Sequence, residues 1–220
     1  MKKLLLGIAA VCLAGFTFAQ DAPLWMRHSV ISPDGTTIAF TYKGDIYTVP
    51  VAGGRAMQIT TNPAYDTAPV WSPDSKRIAF ASDRMGSLDV YIVAKDGGEP
   101  RRLTTHSGSE TPLAFTDAGH VLFSAGIMPS AEAVVFPSNG QFNQVYRVSV
   151  EGGRPTMISS MPMECISINK EGAMLYQDKK GYEDYWRKHH VSPIARDIWM
   201  YTPGKRTAVP PADHFRRRRP

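Results

Sequence analysis

The stretch SPDGTTIAFTYKGDIYTVPVAGGRAMQIT, from Ser32 to Thr60, runs through a turn, a strand, an Asp-initiated strand with an aromatic, a Gly-Gly turn and an Ile-Thr ending. The same order returns in SPDSKRIAFASDRMGSLDVYIVAKDGGEPRRLT, from Ser72 to Thr104. A looser third copy has FTDAG from Phe115, HVLFSA from His120, QVYRVS from Gln144, EGG from Glu151 and MIS from Met157. A fourth starts with NKEG at Asn169 and AMLYQD at Ala173, reaches DIWMY at Asp197, and then loses the pattern. Asp45 to Asp89 is 44 residues, Asp89 to Gln144 is 55 and Gln144 to Asp197 is 53. Units of roughly 40 to 50 residues built from short alternating strands read as blades of a β-propeller. The expected fold is therefore all-β: a propeller of four-stranded antiparallel blades, three complete and a fourth partial, in an incomplete ring. The ten or so extra residues of the later units belong in loops, because four short strands fill a blade.

Within one unit, Pro33 and Pro73 fix φ near the value that a turn's second position needs, and Asp34 or Asp74 follows with a side chain able to bond the local backbone. From Thr37 to Tyr42 the apolar Ile38, Phe40 and Tyr42 fall on one strand face, while Ala39 and Thr41 on the other let a neighbouring blade come close. Ile46, Thr48 and Pro50 oppose Tyr47, Val49 and Val51 in the same way. Gly53 and Gly54 suit the positive-φ positions of a tight hairpin. The Asp that opens each of these strands reads as a turn or cap residue rather than a ligand.

Residues 1–19 have the form of a secretory signal peptide: Lys2 and Lys3, an apolar stretch from Leu4 to Phe18, and Thr17-Phe18-Ala19 before Gln20. The stretch is too short and wrongly flanked for a spanning helix, so an exported, periplasmic or extracellular location without stable membrane insertion is expected. Cys12 lacks a lipoprotein cleavage context, and once the leader is gone Cys165 is the sole thiol. No intramolecular disulfide can form, and the alternation in ECISIN makes Cys165 a small buried hydrophobe. The formal charge of +5 comes from the ends, since without Lys2, Lys3 and Arg216 to Arg219 the body carries −1. A nucleic-acid partner is therefore not expected.

There is no GxSxG elbow, and Ser107-Gly108-Ser109 lies in a polar loop between strands. Glu183, Asp184, His189 and His190 are the densest group of potential metal ligands. Adjacent histidines point to opposite sides of an extended backbone and lie about 100° apart on a helix, so the group reads as a solvated insertion anchored by Tyr182, Tyr185 and Trp186. No residue is assigned as catalytic, cofactor-binding or metal-binding, and no cofactor is expected.

The SPDG and SPDS turns, IAF strands, D(I/V)Y strands and GG endings resemble the repeats of TolB-like propellers. GGEPRRLTTHSG (Gly97 to Gly108), FTDAGHVLFSA (Phe115 to Ala125) and GYEDYWRKHHVSPIARDIW (Gly181 to Trp199) resemble the N-terminal propeller of tricorn-type proteases, in the exported bacterial form belonging to the S41 serine peptidases. The resemblance covers about Ala22 to Tyr201. It implies a non-catalytic segment that gates or guides peptide or protein substrates toward a serine active site elsewhere in the polypeptide, and a possible homo-oligomer in full-length members. The family's catalytic residues have no matching positions. The other reading is a self-standing TolB-like interaction propeller in the cell envelope. Residues 202–220 form an irregular basic tail, RTAVPPADHFRRRRP after the PGK, which reads as the product of a truncated or frameshifted coding sequence rather than as a designed extension.

Overall fold

The computed structural model describes residues 25–126, 143–160, 163–169, 171–177 and 198–202. These residues form four antiparallel sheets and no helix. The first contains β1 (Met26–Ile31), β2 (Thr37–Tyr42), β3 (Asp45–Pro50) and β4 (Met57–Gln58). The second contains β5 (Asp66–Trp71), β6 (Arg77–Ser82), β7 (Asp89–Ala94) and β8 (Arg101–Arg102). The third contains β9 (Glu110–Asp117), β10 (His120–Ala125), β11 (Gln144–Ser149) and β12 (Thr156–Ser159). The fourth contains β13 (Glu164–Ile168), β14 (Met174–Gln177) and β15 (Ile198–Tyr201). Strand order within each sheet follows the chain, and β1, β5, β9 and β13 adjoin one another in succession. This is the β-propeller that the repeat implies, with three four-stranded blades and a fourth of three described strands. The leader, the tail, the Glu183 to His190 group and most of the loop insertions lie outside the described residues.

Side-chain chemistry builds the turns between the first two strands of a blade. Ser32 Oγ donates to Asp34 Oδ1 at 2.5 Å and accepts the Thr37 N–H at 3.0 Å, while Asp34 Oδ1 also accepts the Thr36 N–H at 3.0 Å. Ser72 and Asp74 repeat the device, at 2.5 Å between the side chains and 2.9 Å from the Arg77 N–H. In the fourth blade Asn169 substitutes for both residues, its Oδ1 accepting N–H groups of Glu171 and Ala173 at 3.1 and 2.8 Å. The Gly-Gly hairpins adopt the expected left-handed backbone, with φ of 85° and 125° at Gly53 and Gly54 and 92° and 117° at Gly97 and Gly98.

Packing between blades follows one rule. Paired aromatics recur at one register position: Phe40 opposite Tyr47, Phe80 opposite Tyr91, Phe123 opposite Tyr146 and Tyr176 opposite Trp199. The Phe80–Tyr91 and Phe123–Tyr146 rings stack at 5.9 and 5.7 Å. In the second, third and fourth blades this face lies on the small or aliphatic face of the preceding blade. Phe80, Tyr91 and Val93 meet Ala39, Ile46 and Ile59; Phe123, Tyr146 and Val148 meet Ala79, Val90 and Leu103; Met174, Tyr176 and Trp199 meet Leu122, Val145 and Ile158. Small residues thus do face a neighbouring blade, as their alternation implies, and the aromatic face opposite is buried against the other neighbour.

Cys165 corrects the sequence reading, because it is exposed. It sits in the first strand of its blade with φ of 51°, where the register with β14 shifts between Glu164 and Ser167. An extra residue in a strand rotates the following side chains out of simple alternation, so a period-2 reading fails there. His28 and Ala68, both at φ of 51°, occupy the corresponding shifts in β1 and β5.

Candidate functional site

A cleft of about 640 Å³ lies between the outer strands of the first and second blades. One wall is Ile59 to Pro63, which leads from β4 toward β5; the other is Gly98 to Pro100 before β8, with Tyr91, Arg102, Arg84 and Met85 completing it. The wall positions follow from the repeat, since Ile59 and Thr60 end one unit while the Gly-Gly turn and β8 end the next.

Two guanidinium groups line the cleft, and each is held by a buried carboxylate. Arg84, at the β6–β7 connection, donates from Nη2 to both Asp66 oxygens at 3.0 Å, and its Nε donates to Ser82 Oγ at 2.9 Å. The same guanidinium lies 4.6 Å from the Tyr91 ring centroid and 5.6 Å from that of Phe80. Asp66 is fully buried at the start of β5, and its N–H donates to the Gly44 carbonyl at 2.7 Å, linking the two blades. Arg102 Nη2 lies 2.8 Å from Asp89 Oδ2, and Asp89 is also fully buried. Burial pushes the Asp89 carboxyl up from its ordinary value, and Arg102 pulls the other way. Burial likewise raises the Tyr91 hydroxyl.

The electrostatic consequence is a polar cleft whose two guanidinium charges are matched by buried carboxylates, with the exposed Glu99 carboxylate on its wall. Each guanidinium is matched by its carboxylate, yet each carries five N–H donors, more than its carboxylate partner takes up. The cleft can therefore offer hydrogen bonds to neutral acceptors such as peptide carbonyls, beside the apolar surface of Ile59, Pro63, Met85 and Tyr91.

Asp45 and Asp89, which open the third strands of the first two blades, act as braces, which the turn-or-cap reading did not anticipate. Asp45 accepts from Gln58 Nε2 at 3.0 Å and from Thr60 Oγ1 at 3.4 Å, both on the strand that follows or just beyond it. Asp89 pairs with Arg102 at the position equivalent to Gln58. Thr60 and Thr104 explain the recurring Leu/Ile-Thr ending, since their Oγ1 atoms accept the N–H groups of Ile46 and Val90, both at 2.9 Å.

A second buried acid lies one blade along. Glu110 opens β9 as Asp66 opens β5 and is fully buried. Burial pushes its carboxyl up to about 7; nearby Asp89 adds to the rise, while Thr104 and Arg102 oppose it. Neither Glu110 oxygen makes a hydrogen bond of ordinary geometry, so Thr104 offsets only part of the burial cost. Sequence reasoning did not single out Asp66, Arg84, Arg102 or Glu110. The available signal was an acidic residue at Asp66, Glu110 and Glu164, each opening the first strand of its sheet.

Ser107-Gly108-Ser109 sits in the β8–β9 loop as expected. His106 Nδ1 accepts the Gly108 N–H at 3.0 Å, so the imidazole serves the turn. No group of three or more potential metal ligands occurs among the described residues. No described helix is long and apolar enough to cross a membrane.

Comparison with known proteins agrees with this architecture. Residues 23–217 match the Tricorn protease N-terminal beta propeller domain. The chain is 25% identical over 180 residues to Tricorn protease homolog 1 of Streptomyces coelicolor, covering 81% of this chain and 16% of that protein. Among solved structures it is similar to a putative TolB from Agrobacterium tumefaciens, with TM-score 0.64 and 16% identity, covering 86% of this chain and 62% of the other. It is also similar to the tricorn protease, with TM-score 0.59 and 13% identity over 84% of this chain and 22% of the other. The chain belongs to the Tricorn protease N-terminal beta propeller family.

Proposed function

We propose that this chain is the non-catalytic propeller segment of an exported, S41-type tricorn-like serine peptidase, and that it binds extended peptides and guides them toward a catalytic domain carried elsewhere in the polypeptide. The observation that carries the reading is the cleft between the first two blades, lined by guanidinium groups that are paired with buried carboxylates, in a chain that belongs to the tricorn propeller family. A guiding surface must recognise main chain without demanding one side-chain sequence. Guanidinium donors aimed from neutralised ion pairs, next to apolar walls, meet that need. The leader at residues 1–19 supports export to the periplasm or beyond. Neither a cofactor nor a nucleic acid has a place in this account.

Purified chain starting at Gln20 tests the reading by fluorescence anisotropy with labelled, unstructured peptides. Saturable binding, intact peptides by mass spectrometry and no labelling by a fluorophosphonate probe are expected. Stoichiometric labelling of one serine would show that the chain is itself catalytic. Absence of peptide binding, with capture of a folded envelope protein instead, would favour a self-standing interaction propeller.

A further inference from the structure

A second pocket, of about 450 Å³, lies at the inner strands of the first two blades and is lined by Trp25, Arg27, Thr41, Lys43, Gly44 and Tyr65. It belongs to the side of the first blade that meets the second. Arg27 pairs with Thr41 and Thr41 with Ile46, and Ile46 shares a buried cluster with Ile78 and Phe80 of the second blade. Tyr65 comes from the segment that enters β5. The pocket therefore does not depend on what packs against the first blade's other face.

The lining carries two cations and no carboxylate. Neither Arg27 nor Lys43 forms an ion pair with any described residue. Their charges lie over aromatic rings instead, Arg27 at 6.0 Å from the Trp25 centroid and Lys43 at 5.3 Å from that of Tyr42. The acids at this end of the two blades are engaged elsewhere: Asp45 with Gln58 and Thr60, Asp66 with Arg84, and Asp83 with the Tyr65 N–H. Thr41 is 2% exposed, and its Oγ1 has no hydrogen-bond partner although the residue lines the pocket. A buried hydroxyl in this state costs stability that a ligand oxygen would recover. The repeat shows that the cations are peculiar to this blade. The other three blades open their first strand at this register with Asp66, Glu110 or Glu164, whereas the first blade has Met26 followed by Arg27. Lys43 and Gly44 form the two-residue β2–β3 turn at φ of 52° and 93°, where Asn or Asp before Gly is usual.

We infer that this pocket takes the carboxylate of an acidic side chain on a bound peptide, and so makes the propeller selective for peptides with Glu or Asp beside an aromatic residue. The inference rests on the reading that the chain holds peptides, and adds a side-chain preference to it. Arg27 and Lys43 attract the carboxylate, Thr41 Oγ1 donates to it, and the exposed rings of Trp25 and Tyr65 offer a surface to the neighbouring aromatic. The cleft does not suit the acid, because its guanidinium groups are already paired and Glu99 stands on its wall. Pro63 of the cleft and Tyr65 of the pocket are two residues apart, at most roughly 7 Å of chain, so one extended peptide reaches both. Two solvent-exposed charges favour a carboxylate by only about tenfold in affinity, which makes the pocket a selector among peptides rather than a site for free small acids.

Isothermal titration calorimetry at low ionic strength tests this with two acetylated, amidated peptides that differ only in Phe-Glu against Phe-Gln. Blocked ends leave the side chain as the one carboxylate that distinguishes them. The Glu peptide should bind about tenfold more tightly, with the advantage falling as salt is added. The double variant Arg27→Gln, Lys43→Gln should abolish the advantage and leave binding of the Gln peptide unchanged. Thr41→Val removes the hydroxyl, keeps the shape and breaks no internal hydrogen bond; it should reduce the advantage by about threefold. Equal affinities for the two peptides would overturn the inference and leave the cleft reading in place. An advantage that survives the double variant would also overturn it, by assigning the acid to other cations. Binding of the Glu peptide with no measurable binding of the Gln peptide would sustain the inference and remove the cleft reading. Failure of both peptides to bind would overturn both.

Discussion

Replacing Glu110 by Gln should change how stability depends on pH, by an amount that the structure allows one to work out. The carboxyl is fully buried and is pushed from 4.5 up to about 7, chiefly by loss of solvation. Its folded-state value is raised above the unfolded one, so between these values the folded chain binds the proton more tightly. Stability from this group is therefore complete below about pH 4.5 and is lost as pH rises through 7. A displacement of this size corresponds to on the order of 3 kcal/mol. Gln keeps the shape and never ionises. The stability difference, variant minus wild type, should therefore grow by about that amount between about pH 4.5 and pH 8. Urea unfolding followed by tryptophan fluorescence gives both values. Asp34, held at about 2 by Ser32 and Thr36, titrates in a more acid range and is common to both proteins, so it cancels. A difference that stays flat with pH, or that shrinks as pH rises, would refute the burial argument.

Three further outcomes follow from the packing. Arg84→Ala leaves Asp66 buried without its cation and should cost about 3 to 5 kcal/mol in urea unfolding; adding Asp66→Ala should recover part of the loss. Phe80→Ala opens a cavity in a closed blade interface, where the side chain is fully buried, and should cost about 3 to 5 kcal/mol in the same assay. Cys165, exposed at the β13 shift, should react stoichiometrically with a thiol reagent in the native chain, whereas a protected thiol would restore the buried reading.

The residues that build turns were the legible part of the sequence. Ser-Pro-Asp, the Gly-Gly pair and the Thr endings act over a few positions, so their chemistry can be read locally, and they located three strands of each of the first three blades and two of the fourth. The first strand of each blade was harder. The unit read from the sequence starts at Ser72, but the sheet starts six positions earlier at Asp66, and the shift at Ala68 breaks the alternation that would have revealed it. The same irregularity hid the exposure of Cys165. Asp66, Arg84, Asp89 and Arg102 converge from three strands and a connecting segment of the second blade, and nothing in their spacing announces that a cleft to the first blade will run beside them. Glu110 looks like any loop-side acid until the fold buries it.

The central claim, that the cleft between the first and second blades is where peptide is held, is tested most directly by photo-crosslinking. An unstructured peptide carrying benzoylphenylalanine is irradiated with the chain, and the adducts are mapped by mass spectrometry. The account predicts adducts concentrated on residues 59–63, 84–85 and 98–102, reduced by competing unlabelled peptide, with the peptide uncut. Adducts spread over the surface, or gathered away from the cleft, would contradict it.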